Sequence, residues 1–368
     1  MVGITLFLVY SNKKPLVVEP ILSEAEEPEL VEPTVAGAIL INQVGYPSQA
    51  SKIALFTENN GPFTVIDSKQ GDIVFEGQLS KPQYSAAAQK TFYHGDFTQI
   101  TTPGTYKLMQ ANQESVAFTI DEQPFEALHK GLLKSFYFLR CGSELPKEFA
   151  DQWHHQVCHL ESAIVYGDEE RKIDVSGGWH DAGDYGKYVV AAAKAVTDLL
   201  LAYELYGDAF VEPIPLPETD DVMPDVLHEV LYELEWLLKM QDPQTGGVYH
   251  KVTTLNFPGL EVMPEEDLAD LYVSPISATA TATFAAVTAQ AARIYKPYNP
   301  ELSEHLLNQS EQAWDWIEKN PDMPGFKNPA EITTGEYGDQ HDIDEQYWAA
   351  ATFCFMKWAP KDWHLFLL

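Results

Sequence analysis

Two aspartates three residues apart, Asp181 and Asp184, stand in a run that also holds Gly177, Gly178, Gly183 and Gly186. Glycine opens backbone geometries closed to other residues, so a turn here can aim both carboxylates into one cleft. Neighbouring carboxylates perturb each other's proton affinity, which is what a general base requires. The same turn precedes an apolar run from Lys187, and Asp184 could equally cap the helix that begins there. Trp179, Tyr185 and Tyr188 flank the pair, and their rings suit either sugar stacking or internal packing.

A second constellation is Cys141, Cys158, His159 and His180. Two thiolates and two imidazoles fill a tetrahedral Zn²⁺ shell and leave no open position, so such a zinc would be structural. The order Cys-x16-Cys-His-x20-His is not a zinc-finger spacing, and buried cysteines beside ordinary loop histidines would read the same way. His180 directly precedes Asp181, so a closed site there would fix the turn. His154 and His155 read as surface residues. The run Glu218, Asp220, Asp221 and Asp225 offers hard oxygen ligands just before a helix, and Asp339, Asp344 and Glu345 make a second such group. Both suit structural Ca²⁺, and both also suit the charge that a helix N-terminus favours. No motif asks for an organic cofactor.

The elements that must position these residues change character along the chain. Residues 1–36 combine a short apolar run, Ile4 to Tyr10, with a Pro- and Glu-rich stretch. The apolar run is shorter than the roughly 20 residues that span a bilayer and resembles the remnant of a signal peptide, while the acidic stretch reads as an extended linker. Residues 37–122 hold seven short strand patterns, starting near Ala38, Lys52, Phe63, Ile73, Thr91, Gly104 and Ser115, separated by turn pairs such as Asn60-Gly61. Seven strands in such a span predict an immunoglobulin-like β-sandwich, here without cysteine. After Pro124 the period becomes helical. Six helices are predicted, beginning near Phe125, Lys187, Asp225, Ile276, Leu302 and Ile343; in the third, Leu227, Leu231, Leu234 and Leu238 mark a buried stripe. Helix pairs joined by long loops suggest an α/α barrel, so the fold class is multidomain, β followed by α.

The composition narrows the partners. The chain has 368 residues, enough for two domains, and 55 acidic against 23 basic side chains give a net charge of −32. That balance opposes nucleic acid and anionic membranes and suits a neutral polysaccharide or bound cations. Aromatics reach 12%, which suits sugar contacts as well as a large helical core. Three cysteines make a poor disulfide framework.

The segment GGWHDAGDYGKY resembles the base-bearing signature of glycoside hydrolase family 9. So, in collinear order, do ILINQVGYP at 39–47, FYFLRCG at 136–142, MPDVL at 223–227, GGVYHKVTT at 246–254, TATATFAAVTAQAARIY at 279–295, TTGEY at 333–337 and YWAAA at 347–351. The likeness is greatest to members with an N-terminal immunoglobulin-like domain. The resemblance implies a secreted, monomeric, inverting hydrolase of β-1,4-glucans, with Asp184 as general base and Asp181 positioning the water. It implies zinc on the Cys–His set and calcium at both acidic groups, although His228 stands where relatives tend to carry Asp. It also implies that residues 123–368 are the N-terminal half of an (α/α)6 barrel, six of its twelve helices. The family's acid, a Glu in an Asn-Glu motif, and a histidine-bearing substrate loop are expected further on. The tail after Ala351 departs from the family pattern as out-of-frame reading or truncation would. The chain as written is therefore expected to be poorly soluble and without significant glucanase activity.

Overall fold

The computed structural model describes residues 39–358, with side chains to residue 354, so the expectations for residues 1–36 and for the end of the tail lie outside the described residues. The chain divides into two compact units, one up to Pro124 and one from Phe125.

The first unit is built from ten short strands: β1 (Ile39–Leu40), β2 (Tyr46–Pro47), β3 (Ile53–Phe56), β4 (Phe63–Asp67), β5 (Ile73–Gly77), β6 (Gln83–Ser85), β7 (Lys90–Asp96), β8 (Gly104–Gln110), β9 (Gln113–Glu114) and β10 (Phe118–Asp121). They form two sheets, ordered β1-β3-β7-β6 and β2-β10-β8-β4-β5, with β9 paired to β8. Alternating burial in β3, β4 and β8 sends Phe56, Val65 and Leu108 inward. Phe56 of one sheet meets Phe63 of the other with ring centroids 5.3 Å apart. Each such fully buried side chain contributes roughly 1.5–3 kcal/mol. Strands β2, β6 and β9 are too short to show a period-two signal, so the sequence does not display them.

The second unit carries the six expected helices: α1 (Glu126–Phe138), then, after a single turn α2 (Lys147–Ala150), α3 (Val189–Leu205), α4 (Asp225–Lys239), α5 (Ala278–Tyr295), α6 (Pro300–Lys319) and α7 (Ile343–Trp358). Helix α5 is central and packs against α3, α6 and α7. Every one of its residues except Arg293 is buried, which its Ala and Thr composition permits by allowing close approach on all sides. Thr281 and Thr288 return their hydroxyls to the carbonyls of Ser277 and Phe284, both at 2.6 Å, so the buried oxygens are satisfied. Ser277 caps the helix by accepting from the Ala280 N–H at 3.1 Å.

A small five-stranded sheet in this unit has no counterpart in the sequence reading. Its strands are β11 (Ala163–Val165), β12 (Asp168–Ile173), β13 (Lys187–Tyr188), β14 (Lys251–Thr253) and β15 (Tyr272–Val273), ordered β12-β11-β15-β14-β13. Four of its strands have only two or three residues and carry no readable alternation, and the six of β12 (DEERKI) are polar but for the last. The antiparallel register of β13 with β14 sets Tyr188 opposite Lys251. That pairing brings the aspartate-bearing turn against the HKVTT segment and fixes the site.

Candidate active site and metal centre

The turn that carries both aspartates is held from several sides by its backbone. Cys141 N–H donates to the Gly178 carbonyl and His180 N–H to the Leu139 carbonyl, each at 2.7 Å. Asp181 N–H donates to the Gly186 carbonyl at 2.9 Å and closes the turn. Glycine is required at Gly177, with φ +93°, and at Gly178, with φ +75° and a Cβ that would stand 2.6 Å from Trp236 Cγ. Gly183 has open space around it and no positive φ, so it does not share that requirement. Tyr185 itself takes φ +57°, a sparsely populated conformation next to the expected base.

Each aspartate is gripped by one tyrosine. Tyr188 donates its hydroxyl to Asp184 Oδ2 at 2.9 Å, and Tyr337 donates to Asp181 Oδ2 at 2.7 Å. Asp184 Oδ1 is buried and has no hydrogen-bond partner among the described residues. Loss of solvent around the Asp181 carboxyl, reinforced by the Asp184 charge, raises its pKa. Burial and the Asp184 charge push Tyr188 far up, and the bond to Asp181 holds Tyr337 at about 12, so both phenols stay protonated donors. The two rings lie 4.6 Å apart.

Behind these tyrosines stand residues to which the sequence reading gave no role. Lys251, fully buried, donates to Thr334 Oγ1 at 3.0 Å and to the Gly335 carbonyl, and its ammonium lies 5.4 Å from the Tyr188 ring centre. Burial lowers its pKa to about 8. His250 stacks on Phe326 and bonds through Nε2 to the Glu336 carbonyl oxygen at 3.0 Å. Together they fix the 333–337 segment that brings Tyr337 to Asp181. The quoted runs GGVYHKVTT and TTGEY were the signal for these residues.

Of the two roles open to Trp179, sugar stacking and packing, the surroundings of its ring favour packing. The residue is buried, its ring lies 4.8 Å from Phe136, and its indole N–H donates to Glu229 at 2.8 Å, which leaves no exposed face for a sugar. Tyr185 donates its hydroxyl to the Val262 carbonyl and lays its ring 5.0 Å from His180 and 5.9 Å from His159.

The structure brings Cys141, Cys158, His159 and His180 together, all buried, with one ligand atom from each within 4.8 Å of the others. Cys141 Sγ faces His159 Nδ1 at 3.8 Å, and Cys158 Sγ faces His180 Nε2 at 3.9 Å. The hydrogen bond from Cys158 holds the Cys141 thiol below its ordinary pKa. Four buried soft and borderline donors converging on one point suit Zn²⁺. His154 and His155 stay outside the cluster.

Asp339, Asp344 and Glu345 also converge within 4.8 Å and are more exposed. Burial, with the charges of Asp344 and Asp339, raises Glu345 to about 7. The other acidic run does not converge. Glu218 is paired with Arg140 at 2.9 Å, Asp220 accepts from the N–H groups of Val222 and Met223 and faces His228 at 3.3 Å, and Asp225 accepts from Ile214 N–H at 2.6 Å. These carboxylates, to which the resemblance assigned calcium, face separate partners, although Asp225 Oδ1 is buried without one among the described residues.

Residues 125–362 match Glycosyl hydrolase family 9, and residues 34–115 match the cellulase N-terminal ig-like domain. The family match runs past Ala351, where the sequence pattern was expected to end, and α7 continues unbroken to Trp358. The chain is 39% identical over 327 residues to a cellodextrinase of Butyrivibrio fibrisolvens, covering 88% of this chain and 59% of that protein. It is 36% identical to endoglucanase D of Acetivibrio thermocellus, covering 85% of this chain and 50% of that protein. Among solved structures, a thermostable endoglucanase from Alicyclobacillus acidocaldarius superposes with a TM-score of 0.81 at 40% identity, covering 87% of this chain and 59% of that one. A Zn-binding triple mutant of the family 9 endoglucanase J30 superposes with a TM-score of 0.77 at 35% identity, covering 84% of this chain and 60% of that one. The chain thus spans about three fifths or less of these relatives, and it belongs to glycosyl hydrolase family 9, joined to a cellulase-type immunoglobulin-like domain.

Proposed function

We propose that this chain carries the water-activating half of an inverting β-1,4-glucan hydrolase. The observation that carries the reading is the aspartate pair: both on one turn, each held by a tyrosine hydroxyl, with Asp184 Oδ1 buried and unpartnered. Asp184 takes the proton from the water that attacks the anomeric carbon. Asp181, its proton affinity raised, holds that water and shares its protons. Tyr188 and Tyr337 cannot compete as bases because their phenols stay protonated, so they orient the carboxylates. The substrate class follows relatives named cellodextrinase and endoglucanase.

An inverting enzyme also needs an acid about 6.5–9.5 Å across the scissile bond from the base. We place it in the portion of the relatives beyond this chain, together with the remaining helices of an (α/α)6 barrel. Zinc on Cys141, Cys158, His159 and His180 would pin the turn next to Asp181 without touching substrate, since four protein ligands leave it no open position. Calcium on Asp339, Asp344 and Glu345 would brace the start of α7. A secreted monomer acting on polysaccharide fits the acidic charge, and no helix among the described residues is long and apolar enough to cross a membrane.

The test is hydrolysis of a soluble cellulose derivative, followed by reducing ends and by the anomeric configuration of the first product. In a form that carries the acid, Asp184→Asn is expected to lower kcat by about 10²–10⁴ with little change in KM. Retention of configuration, or an unimpaired Asp184→Asn, overturns the assignment. The 368-residue chain alone is expected to release product at background. Turnover that Asp184→Asn abolishes would place the acid within these residues instead.

A further inference from the structure

His159 offers Nδ1 to the cluster, 3.8 Å from Cys141 Sγ and 3.4 Å from His180 Nε2. Its other nitrogen, Nε2, is buried without a hydrogen-bond partner, and so is Asp267 Oδ2. The two atoms face each other at 3.6 Å, with side chains only 3% and 7% exposed. Asp267 Oδ1 is already engaged, accepting from the Ala269 N–H at 3.3 Å. A buried carboxylate oxygen and a buried imidazole nitrogen each leave a desolvation cost uncompensated unless they join. A ring that gives Nδ1 to a metal must carry its proton on Nε2, which is the donor Asp267 lacks.

We propose that Asp267 is the outer carboxylate of the metal centre: it accepts the Nε2–H of His159 and orients that ring toward zinc. The inference rests on the zinc reading above and extends it to a second segment. Asp267 follows the 3₁₀ turn Pro264–Glu266, and two residues before that turn begins the Val262 carbonyl accepts the Tyr185 hydroxyl. Leu260 and Leu268 in this stretch are exposed, so apolar burial does little to hold it. Metal binding therefore fixes two pieces of chain at once. One is the catalytic turn, through His180. The other is the 262–267 segment, through His159 and Asp267, which meets the residue after the base through Tyr185.

The experiment compares the full chain with Asp267→Asn, and with Asp270→Asn as an exposed control, by zinc competition against a chromogenic chelator and by hydrogen exchange. Asp267→Asn is expected to weaken zinc by about 10–100-fold, while Asp270→Asn leaves it unchanged. In the wild-type chain, stripping zinc should speed exchange in both 178–186 and 262–269. In zinc-loaded Asp267→Asn only the second segment should exchange faster. Wild-type zinc affinity in Asp267→Asn overturns the inference and leaves the zinc reading standing, whereas a wild-type chain that takes up no zinc overturns both. Should the variant fold poorly, the wild-type exchange pair still decides: a 262–269 segment indifferent to zinc overturns the role of Asp267.

Discussion

The Cys–His set and the 218–225 acidic run look alike as sequence, since each gathers potential ligands around a helix or turn, yet they fold to opposite ends. Cys141, Cys158, His159 and His180 are buried and converge on one point, their ligand atoms facing one another. Glu218, Asp220 and Asp225 point to three separate partners: Arg140, a backbone turn with His228, and the Ile214 N–H. Ligand chemistry alone does not make a site. What decides is whether each group already has a partner that neutralises or satisfies it. A buried, convergent donor set offers a metal one point to bind, whereas carboxylates turned to separate partners do not.

The largest expected effect breaks the first side of that comparison. Cys158→Ser removes one of four ligands and should abolish tight zinc binding. Because metal affinity at a structural site is folding free energy, the unfolding midpoint of the catalytic unit should fall by about 10 °C or more. A chelator should bring the wild-type chain down to the same midpoint and leave the variant unmoved. Equal midpoints for wild type with and without chelator would show that the cluster stands without metal.

The next effect tests the other side. Arg140 donates to both oxygens of Glu229 and to Glu218, and burial of both Arg140 and Glu229 makes the ion pair costly to split. Arg140→Met strands the Glu229 charge and should destabilise the unit by about 3–5 kcal/mol in denaturant titration. Added calcium should not restore it, since Asp220 and Asp225 keep their backbone partners and do not turn to join the released Glu218. Rescue by calcium would mean that the carboxylates, once released, do form a cation site.

Much of this was legible in the sequence, for reasons that differ by region. The six helices show because amphipathic or small-residue periodicity runs over thirteen or more residues, from α1 to the twenty of α6. The sheet β11–β15 does not show, since its register depends on partners such as Val252 and Val273 that are distant in sequence and pair over only two or three residues. At the site, the spacing of Asp181 and Asp184 leaves a helix cap equally open, and it is the likeness of GGWHDAGDYGKY to the family signature that points to catalysis. Tyr337, which arrives from 156 residues away, and Lys251 show no such role, because only tertiary pairing gives them one. Trp179 was ambiguous for the same reason: a ring near a carboxylate reads as stacking until Glu229 is seen to hold its indole N–H.

The smallest effect sharpens the partner rule within a single helix. Glu229 and Glu233 are one turn apart on α4 and both buried, but Arg140 serves only Glu229. Glu233 accepts the Trp179 N–H, and the nearby Lys187 ammonium is engaged by the Val175 and Gly177 carbonyls at 2.6 and 2.7 Å. Burial accordingly raises Glu233 from its ordinary 4.5 to about 8. A carboxyl whose folded pKa lies above its unfolded value stabilises fully below the unfolded pKa and loses that contribution as pH rises to the folded one. His250, lowered to about 4 by burial, acts with the opposite sign between pH 4 and 6.5, and Glu345 and Lys251 titrate near 7 and 8. The Glu233 signal is therefore read as the difference between the wild-type unit and Glu233→Gln, in which these groups cancel. Between pH 6.5 and 8 the stability of the wild-type unit should drop relative to Glu233→Gln by about 2 kcal/mol, at the linkage slope of about 1.4 kcal/mol per pH unit for one proton. Parallel stability curves for the two chains would mean that Glu233 is ionised in the fold and that Lys187 serves it as Arg140 serves Glu229.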